Sequence, residues 1–412
     1  MSDTPIEYGL LGEKLGHSFS PQIHAALADY DSRLFPTPRE EVEDLFRRRG
    51  FKGLNVTIPY KQTVIPLCDE VDHRAAEIGA VNTVVNRDGK LAGYNTDIDG
   101  LIYLAKRAGV DMAGKKVVVL GSGGTSHTAC AAARELGARE IIVVSRKGED
   151  NYENISRHAD AEVLINTTPV GMYPNAGVSA VSLDVFPRLT GVLDVVYNPL
   201  RTALIQQAKE RGLPCSCGLP MLVAQAKRAA ELFIGQDIED DKTEAVLSGL
   251  VGQLQNVVLV GMPGCGKSTI SRILAQRLGK EFLDLDRLIF QRAGKPIPEI
   301  FAQEGEAAFR ALESEIVREA GARTGCVIST GGGVVTRDEN YPPLHQNGVI
   351  VHITRALDLL PTNGRPVSQS TDLRQLWAQR EPLYRSFADL TVDNGGALED
   401  TIKEIEEELS AH

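Results

Sequence analysis

Basic residues are in deficit. The chain has 44 Lys and Arg against 55 Asp and Glu, a net charge of −11, so a nucleic-acid-binding face is not expected. Long apolar runs are missing too: no stretch reaches membrane-spanning length without charges, and the opening MSDTPIEYGLLGEK has no basic segment leading into an apolar run. Cysteine is sparse and scattered, at Cys68, Cys130, Cys215, Cys217, Cys265 and Cys326. None shows paired metal-ligand spacing; Cys215 and Cys217 make only C-x-C, and ordinary reduced thiols are the expectation. No Pro-rich or Gly/Ser-rich linker appears, nor any internal repeat. These absences predict a cytoplasmic protein without nucleic-acid or membrane partners, whose partners are small molecules; they leave the oligomeric state open. What is present is 412 residues, 42% hydrophobic and 24% charged. That is soluble, globular composition in a chain too long for one core, so at least two domains are expected.

Two blocks of alternating strand and helix predict an α/β fold. In the first, KKVVVL (Lys115–Leu120) ends in GSGG, a helical pattern follows to about Leu136, and EIIVVSR (Glu140–Arg146) is a second strand. The other block opens with NVVLVG (Asn256–Gly261), and a helix follows to about Leu278. Between the blocks, LPMLVAQAKRAAELFIG (Leu219–Gly235) and TEAVLSGLVGQL (Thr243–Leu254) are expected to be helical.

GMPGCGKST, Gly261 to Thr269, fits G-x-x-x-x-G-K-[ST] between an apolar strand and a helix. Such a loop cradles nucleotide phosphates with backbone N–H groups and the helix N-terminus. Gly264, Cys265, Gly266, Lys267, Ser268 and Thr269 are the candidate ATP-binding residues; Lys267 reaches the terminal phosphates and Ser268 meets Mg2+. FLDLDRLI follows, with Asp284 and Asp286 two apart and on one face if the segment is extended.

Beyond it come IPEIFAQEGEAAFRALE, ISTGGGVV, GRP at Gly364–Pro366 and REPLYRSFAD at Arg380–Asp389. In that order these motifs resemble shikimate kinase, from about Asn256 to the C-terminus. The resemblance implies that Asp286 holds the acceptor hydroxyls and acts as base. It implies that Arg310 and Arg380 grip the shikimate carboxylate, that Gly331, Gly332 and Gly333 let backbone approach the ring, and that Asp284 sits near the magnesium. Arginine forks suit a small carboxylate, and phosphoryl transfer asks chiefly for positioning and charge neutralisation. The lid segment departs from the family: in LLPTNGRPVSQS, Arg365 is kept to cover the transferring phosphate, the basic residue before it is missing, and Val367-Ser368 replace the usual leucines.

In the front half, the loop Gly121, Ser122, Gly123, Gly124, Thr125 is a variant dinucleotide fingerprint in strand–turn–helix context. The next strand ends in Ser145, Arg146 and Lys147, where a basic pair suits the extra phosphate of NADP; Glu149 and Asp150 follow at once. The segments GLLGEKLGHSFSPQIH, GLNVTIPYK (Gly53–Lys61), IGAVNTVV (Ile78–Val85), LAGYNTDIDG (Leu91–Gly100), INTTPVGM (Ile165–Met172), VVYNP (Val195–Pro199) and GLPMLVAQA (Gly218–Ala226) together resemble shikimate dehydrogenase over about residues 6 to 250. The resemblance implies that Ser18, Ser20, Thr57, Asn82 and Gln225 bind the substrate, with Tyr197 close by and Lys61 and Asp97 as the catalytic pair. Thr168 and Gly218 join the NADP site on the same basis. Lys61 then donates a proton to the oxygen formed by hydride transfer, and Asp97 orients it; a structural Lys–Asp ion pair is the alternative for these two residues.

The implied organisation is a substrate-binding α/β domain at 1–105 completed by 219–254, a Rossmann-type NADP-binding domain at 106–218, and a P-loop kinase domain with a parallel sheet at 255–412. The expected function is bifunctional: NADPH-dependent reduction of 3-dehydroshikimate to shikimate, then phosphorylation by ATP and Mg2+ to shikimate 3-phosphate. Open alternatives are an NAD-using quinate/shikimate dehydrogenase fused to a small-molecule kinase, a kinase for another small hydroxylated acceptor, and a catalytically inactive ligand-sensing regulator.

Overall fold

The structure, a computed structural model, describes residues 7–16, 18–360 and 373–411. It divides into two compact units near Leu250; Tyr173–Gly177 and Asn198–Ala203 cluster with the second unit. Among the described residues no helix is long and apolar enough to cross a membrane.

The first unit holds two sheets. One is mixed, in the order β2-β1-β3-β5-β6-β4, from β1 (Tyr8–Gly12), β2 (Ser32–Pro36), β3 (Gly53–Val56), β4 (Glu70–Val71), β5 (Thr83–Arg87) and β6 (Lys90–Tyr94). β1 runs parallel to β2 and β3, while the β5–β6 hairpin is antiparallel, with Thr83 opposite Tyr94. Around it lie α1 (Ser20–Leu27), α2 (Arg39–Arg48), α3 (His73–Ile78) and α4 (Asp97–Arg107). The other sheet is all parallel, ordered β11-β10-β9-β7-β8. It comprises β7 (Lys116–Leu120), β8 (Glu140–Val144), β9 (Val163–Asn166), β10 (Gly191–Asp194) and β11 (Cys215–Ser216), with α5 (Gly124–Glu135) and α6 (Ala203–Glu210). Val117 to Leu120 are fully buried, as expected of an apolar run covered on both faces. Only a short 3-10 turn, Ile155–His158, lies between β8 and β9; the segment is rich in Asn, Asp, Ser and other polar residues and lacks the apolar periodicity a full crossover helix would bury.

The chain then returns to the first sheet. α7 (Leu219–Ile234) packs on α1, α4 and β5. Its Phe233 meets the rings of Tyr8, His24 and Tyr30. α8 (Asp240–Leu254) is tied to α4, where Arg107 donates to Glu244 at 2.9 to 3.2 Å and Tyr103 also bonds that carboxylate.

The second unit is a parallel sheet ordered β13-β14-β12-β15-β16. Its strands are β12 (Asn256–Val260), β13 (Glu281–Asp284), β14 (Cys326–Ser329), β15 (Gly348–Thr354) and β16 (Leu390–Asp393). Its helices are α9 (Lys267–Arg277), α10 (Leu285–Ala293), α11 (Ile297–Ala322), α12 (Tyr341–His345), α13 (Leu373–Phe387) and α14 (Leu398–Ala411). α11 is broken at Gly305, whose φ of 84° no helix accommodates. In such sheets ligands gather at the carboxyl ends of the strands, where the strand order reverses. Here β12 is flanked by β14 on one side and β15 on the other.

Candidate active sites

In the first unit the site is assembled where β3 ends. Val56 N–H donates to Asn82 O at 2.7 Å, Val81 N–H donates to Lys61 O at 2.8 Å, and the fully buried Tyr60 hydroxyl donates to Thr37 O at 2.7 Å. The turn carrying Thr57 and Lys61 is thereby fastened to the segment before β5. From it the Lys61 ammonium donates to Asp97 Oδ2 at 2.6 Å. Asp97 opens α4, where the helix N-terminus favours a carboxylate. Both groups are part-buried, with side-chain exposures of 29% and 17%, so the pair is screened yet reachable.

Asn82 is held rigidly beside this pair. Its Oδ1 accepts from Thr96 N–H at 2.7 Å and from the Thr83 hydroxyl at 3.1 Å; its Nδ2 donates to Thr96 Oγ1 at 3.0 Å and keeps a second N–H. Thr96 immediately precedes Asp97, so one buried network spans both candidate functions. The sequence motifs pointed to Asn82 and Asp97 but not to Thr83 and Thr96, whose role depends on β5 and β6 being paired. Gln225 lies on α7, which packs on α4; its Nε2 donates to Leu222 O at 2.9 Å. Ser18 Oγ accepts from Ser20 N–H at 3.2 Å at the start of α1, and Phe19 between them meets the Tyr197 ring edge-on at 6.4 Å. Burial pushes the Tyr197 hydroxyl up. Ser18, Ser20 and Tyr197 thus form a second group of candidates. The Gly12 end of β1 packs against Thr57, and Thr57 N–H donates to Leu11 O at 2.9 Å.

The dinucleotide candidates occupy the carboxyl ends of β7 to β10. Gly121 has φ +106°, and a Cβ there would meet Thr167 Oγ1 at 2.9 Å and Thr168 Cγ2 at 3.0 Å. Only glycine allows that turn. Gly123 precedes α5, which begins at Gly124, so Ser122 to Thr125 surround a helix N-terminus suited to a pyrophosphate. Thr168 Oγ1 donates to Asn166 Oδ1 at 2.7 Å, and Asn166 Nδ2 to Asp194 Oδ1 at 2.9 Å. This buried support carries no sequence signature of its own. Gly218 caps α7 with its N–H on Val196 O at 2.9 Å. After β8, Ser145, Arg146 and Lys147 follow in order, and both basic side chains are exposed. Asp150 does not neutralise them: its carboxylate is within 2.8 Å of His158 Nε2. The residues present therefore fit a cofactor with an additional phosphate.

In the second unit a cavity of about 710 Å³ joins the phosphate loop to the acceptor candidates. Gly264, Gly266, Lys267, Ser268 and Thr269 line it, while Cys265 is buried beneath and gives its carbonyl to Asn394 Nδ2 at 2.7 Å. Lys267 is 7% exposed and donates to Gly261 O at 2.8 Å and Met262 O at 3.0 Å. Asp286, Arg310, Gly331, Gly332, Gly333 and Arg380 line the same space. Arg310 is clasped by Glu313 at 2.7 Å and Glu306 at 3.2 Å. Burial pushes the Glu313 carboxyl up, against the pull of Arg310. Glu313, one turn beyond Arg310 on α11, is a site residue that the motifs did not single out. A Cβ on Gly333 would lie 2.2 Å from Arg310 Nη2, so this glycine makes room for the guanidinium. Arg380 Nη1 and the buried Tyr384 hydroxyl both donate to Gly332 O, at 3.1 and 2.5 Å.

One expectation is corrected. Asp284 and Asp286 do not share one extended face: Asp284 ends β13, and Asp286 sits in the first turn of α10. Asp284 caps that helix, with Oδ1 accepting from Arg287 N–H at 3.2 Å, because a carboxylate ahead of a helix satisfies its free N–H groups. Asp286 borders the cavity; Asp284 does not. Asp284 pairs in register with Ser329, whose hydroxyl is 3.1 Å from that of Ser268. These hard oxygens suit Mg2+. Among the described residues no cluster of three His, Cys, Asp or Glu forms a metal cage, and Mg2+ ordinarily relies on phosphate and water. Arg365 lies outside the described residues.

Comparison with known proteins agrees with both halves. The family model "Shikimate dehydrogenase substrate binding domain" matches residues 10–84, and the model "Shikimate kinase" matches residues 263–410. A shikimate dehydrogenase (NADP(+)) of Clostridium perfringens is 38% identical over 264 residues, covering 59% of this chain and 97% of the relative. A chorismate mutase/shikimate 5-dehydrogenase fusion protein from Clostridium acetobutylicum superposes with a TM-score of 0.57 at 33% identity, over 60% of this chain and 97% of that one. Shikimate 5-dehydrogenase from Thermus thermophilus, solved with NADP(H) and shikimate, does so with 0.54 at 31%, over 59% and 98%. The dinucleotide turn, the Lys61–Asp97 pair and these matches lead to one conclusion: the chain belongs to the shikimate dehydrogenase family and carries, after that part, a shikimate kinase domain.

Proposed function

We propose that this chain catalyses two consecutive reactions, the NADPH-dependent reduction of 3-dehydroshikimate to shikimate and the ATP-dependent phosphorylation of shikimate to shikimate 3-phosphate. The observation that carries it is the presence, in one chain, of a part-buried Lys–Asp pair, a glycine turn of the dinucleotide type and an arginine-lined cavity opening on a phosphate loop. We propose domain limits of 1–105 with 219–254, 106–218, and 255–412.

In the reductase, NADPH supplies the hydride when bound. Lys61 gives a proton to the oxygen formed at C3 and Asp97 orients its ammonium, a general-acid role. Ser18, Ser20, Thr57, Asn82 and Gln225 hold the hydroxyls and carboxylate, with Tyr197 closing the group. Gly121 to Thr125, Thr168 and Gly218 line the dinucleotide, and Ser145, Arg146 and Lys147 bind its 2′-phosphate. In the kinase, Arg310 and Arg380 grip the substrate carboxylate, and Glu313 and Gly333 fix the Arg310 fork. Asp286 takes the proton of the attacking hydroxyl. Lys267 exchanges its loop carbonyls for the terminal phosphates, and Ser268 and Asp284 hold Mg2+, which neutralises phosphate charge.

The test is a purified-protein assay with 3-dehydroshikimate, NADPH, ATP and Mg2+. The expected result is NADPH consumption dependent on dehydroshikimate and appearance of shikimate 3-phosphate. Equal use of NADH would favour a quinate/shikimate-type first half. Phosphorylation of a different hydroxylated acceptor would replace the kinase assignment. A protein that binds these ligands but turns over none would be a sensor instead.

A further inference from the structure

Arg355 immediately follows β15, and the functional residues named above do not account for it. β15 pairs with β12 so that His352 stands opposite Val260. Two further residues bring the chain level with the start of the phosphate loop, where Gly261 packs so closely that a Cβ would lie 2.5 Å from Ile353 O. Thr354 O accepts from Asn394 N–H at 2.9 Å, and Asn394 Nδ2 donates to Cys265 O at 2.7 Å. One asparagine therefore fixes both the backbone before Arg355 and the loop itself.

The side chain borders the cavity that Lys267 and Ser268 line. It is half-buried, its Nε is buried without a hydrogen-bond partner, and no ion pair joins it to any described residue. The other two arginines of the cavity are engaged, Arg310 with Glu313 and Arg380 with Gly332 O. A guanidinium that is partly desolvated and lacks an anion is costly unless a ligand provides one. Sheet order says which part of the ligand that is. Asp286 follows β13 and Gly331 to Gly333 follow β14, on one side of β12, whereas Arg355 follows β15 on the other. The acceptor's carboxylate belongs to the first side. The second faces the phosphate loop away from the acceptor.

We infer that Arg355 is a nucleotide-binding residue of the kinase site, its guanidinium gripping the polyphosphate of the bound nucleoside triphosphate from the β15 side. The inference rests on the kinase function proposed above. A planar fork matches phosphate oxygens in two places at once, and it supplies positive charge on the flank of the loop opposite the acceptor.

The test is titration calorimetry on the full chain. Mg·AMP-PNP is titrated with NADP at saturation to occupy the dinucleotide fold, and shikimate is titrated with no NADP present, so that the first unit cannot oxidise it, and fitted to one site in each unit. Both are run on wild type, Arg355→Gln and Arg355→Lys, with circular dichroism and unfolding midpoints as fold controls. Arg355→Gln is expected to weaken AMP-PNP binding about tenfold or more, the scale of a lost charge-assisted hydrogen bond. Shikimate binding should stay within about twofold. Arg355→Lys should lie between, since it keeps the charge and loses the fork. AMP-PNP affinity unchanged in Arg355→Gln, or a loss falling on shikimate, overturns the assignment. Should Arg355→Gln fail to fold, Arg355→Lys decides: binding equal to wild type overturns the assignment, and a loss of about threefold or more supports it. A wild-type protein that binds AMP-PNP yet transfers nothing to shikimate would refute the proposed reaction, and the same titrations would still judge Arg355.

Discussion

Lys61 and Asp97 are two side chains whose separation of 2.6 Å is set by three backbone hydrogen bonds and one helix start. If Lys61 is the proton donor, Lys61→Ala removes the acid while leaving the turn intact, because Lys61 O still accepts from Val81 N–H. The expected loss in reductase kcat is about 10²–10⁴-fold, the usual worth of a positioned acid or base. Kinase turnover of the same preparation should stay within about twofold, since general-acid loss acts only where the proton moves. Following NADPH oxidation and phosphoryl transfer separately checks both statements, and near-normal reduction would return the pair to a structural ion pair. At this scale the sequence is informative where a motif names a chemistry: the lysine of the phosphate loop and the basic pair after β8 can be proposed for their roles from the letters alone. Glu313, Thr96, Asn394 and Arg355 do not. Each gains its role only from a neighbour that folding brings to it, as Asn394 does from a loop 129 residues away.

Among the elements, α11 shows how a break and a glycine cooperate. The kink at Gly305 precedes the segment that carries Arg310 and Glu313, and Gly333, after β14, leaves the volume into which the Arg310 guanidinium extends. Gly333→Ala would place a methyl within 2.2 Å of that guanidinium, so the fork must turn away from its present place. The expected outcome is a rise of about tenfold or more in KM for shikimate, with KM for ATP within about twofold, since a lost bidentate contact is felt by the ligand it grips. Steady-state kinetics with each substrate varied in turn would show it; unchanged KM for shikimate would place the carboxylate elsewhere. The alternating strand–turn–helix units were legible in advance, since apolar runs ending in glycine followed by helical periodicity report themselves locally. The bend between Asp284 and Asp286 was not. An extended strand and a helical first turn are both compatible with FLDLDRLI, and the choice is made by Asp284 capping Arg287 N–H.

For the molecule as a whole, each unit holds a buried histidine whose ring stacks on an aromatic side chain. His24 in the first stacks on Phe233, and His352 in the second stacks on Tyr384. Burial lowers both from an ordinary 6.5 to about 4. A lowered pKa means the unfolded chain takes up the proton first. The stability these groups contribute is thus fully present above pH 6.5, declines as pH falls, and is gone below about 4. The slope is about 1.4 kcal/mol per pH unit for each proton taken up on unfolding. Denaturant unfolding followed from pH 7.5 to 4, as an order-of-magnitude window around these values, should steepen in that interval. His24→Gln should flatten the transition of the first unit and His352→Gln that of the second; parallel curves for variant and wild type would deny the effect. A different consequence follows from α7. The ribosome delivers the strands of the first sheet early, but the helix that covers it, with Phe233 against Tyr8 and Tyr30, emerges only after the whole parallel sheet of β7 to β11. A nascent chain therefore carries its oldest apolar surface uncovered through more than a hundred residues of synthesis, from the end of β6 at Tyr94 to the start of α7 at Leu219, and that interval is where a chaperone would find it.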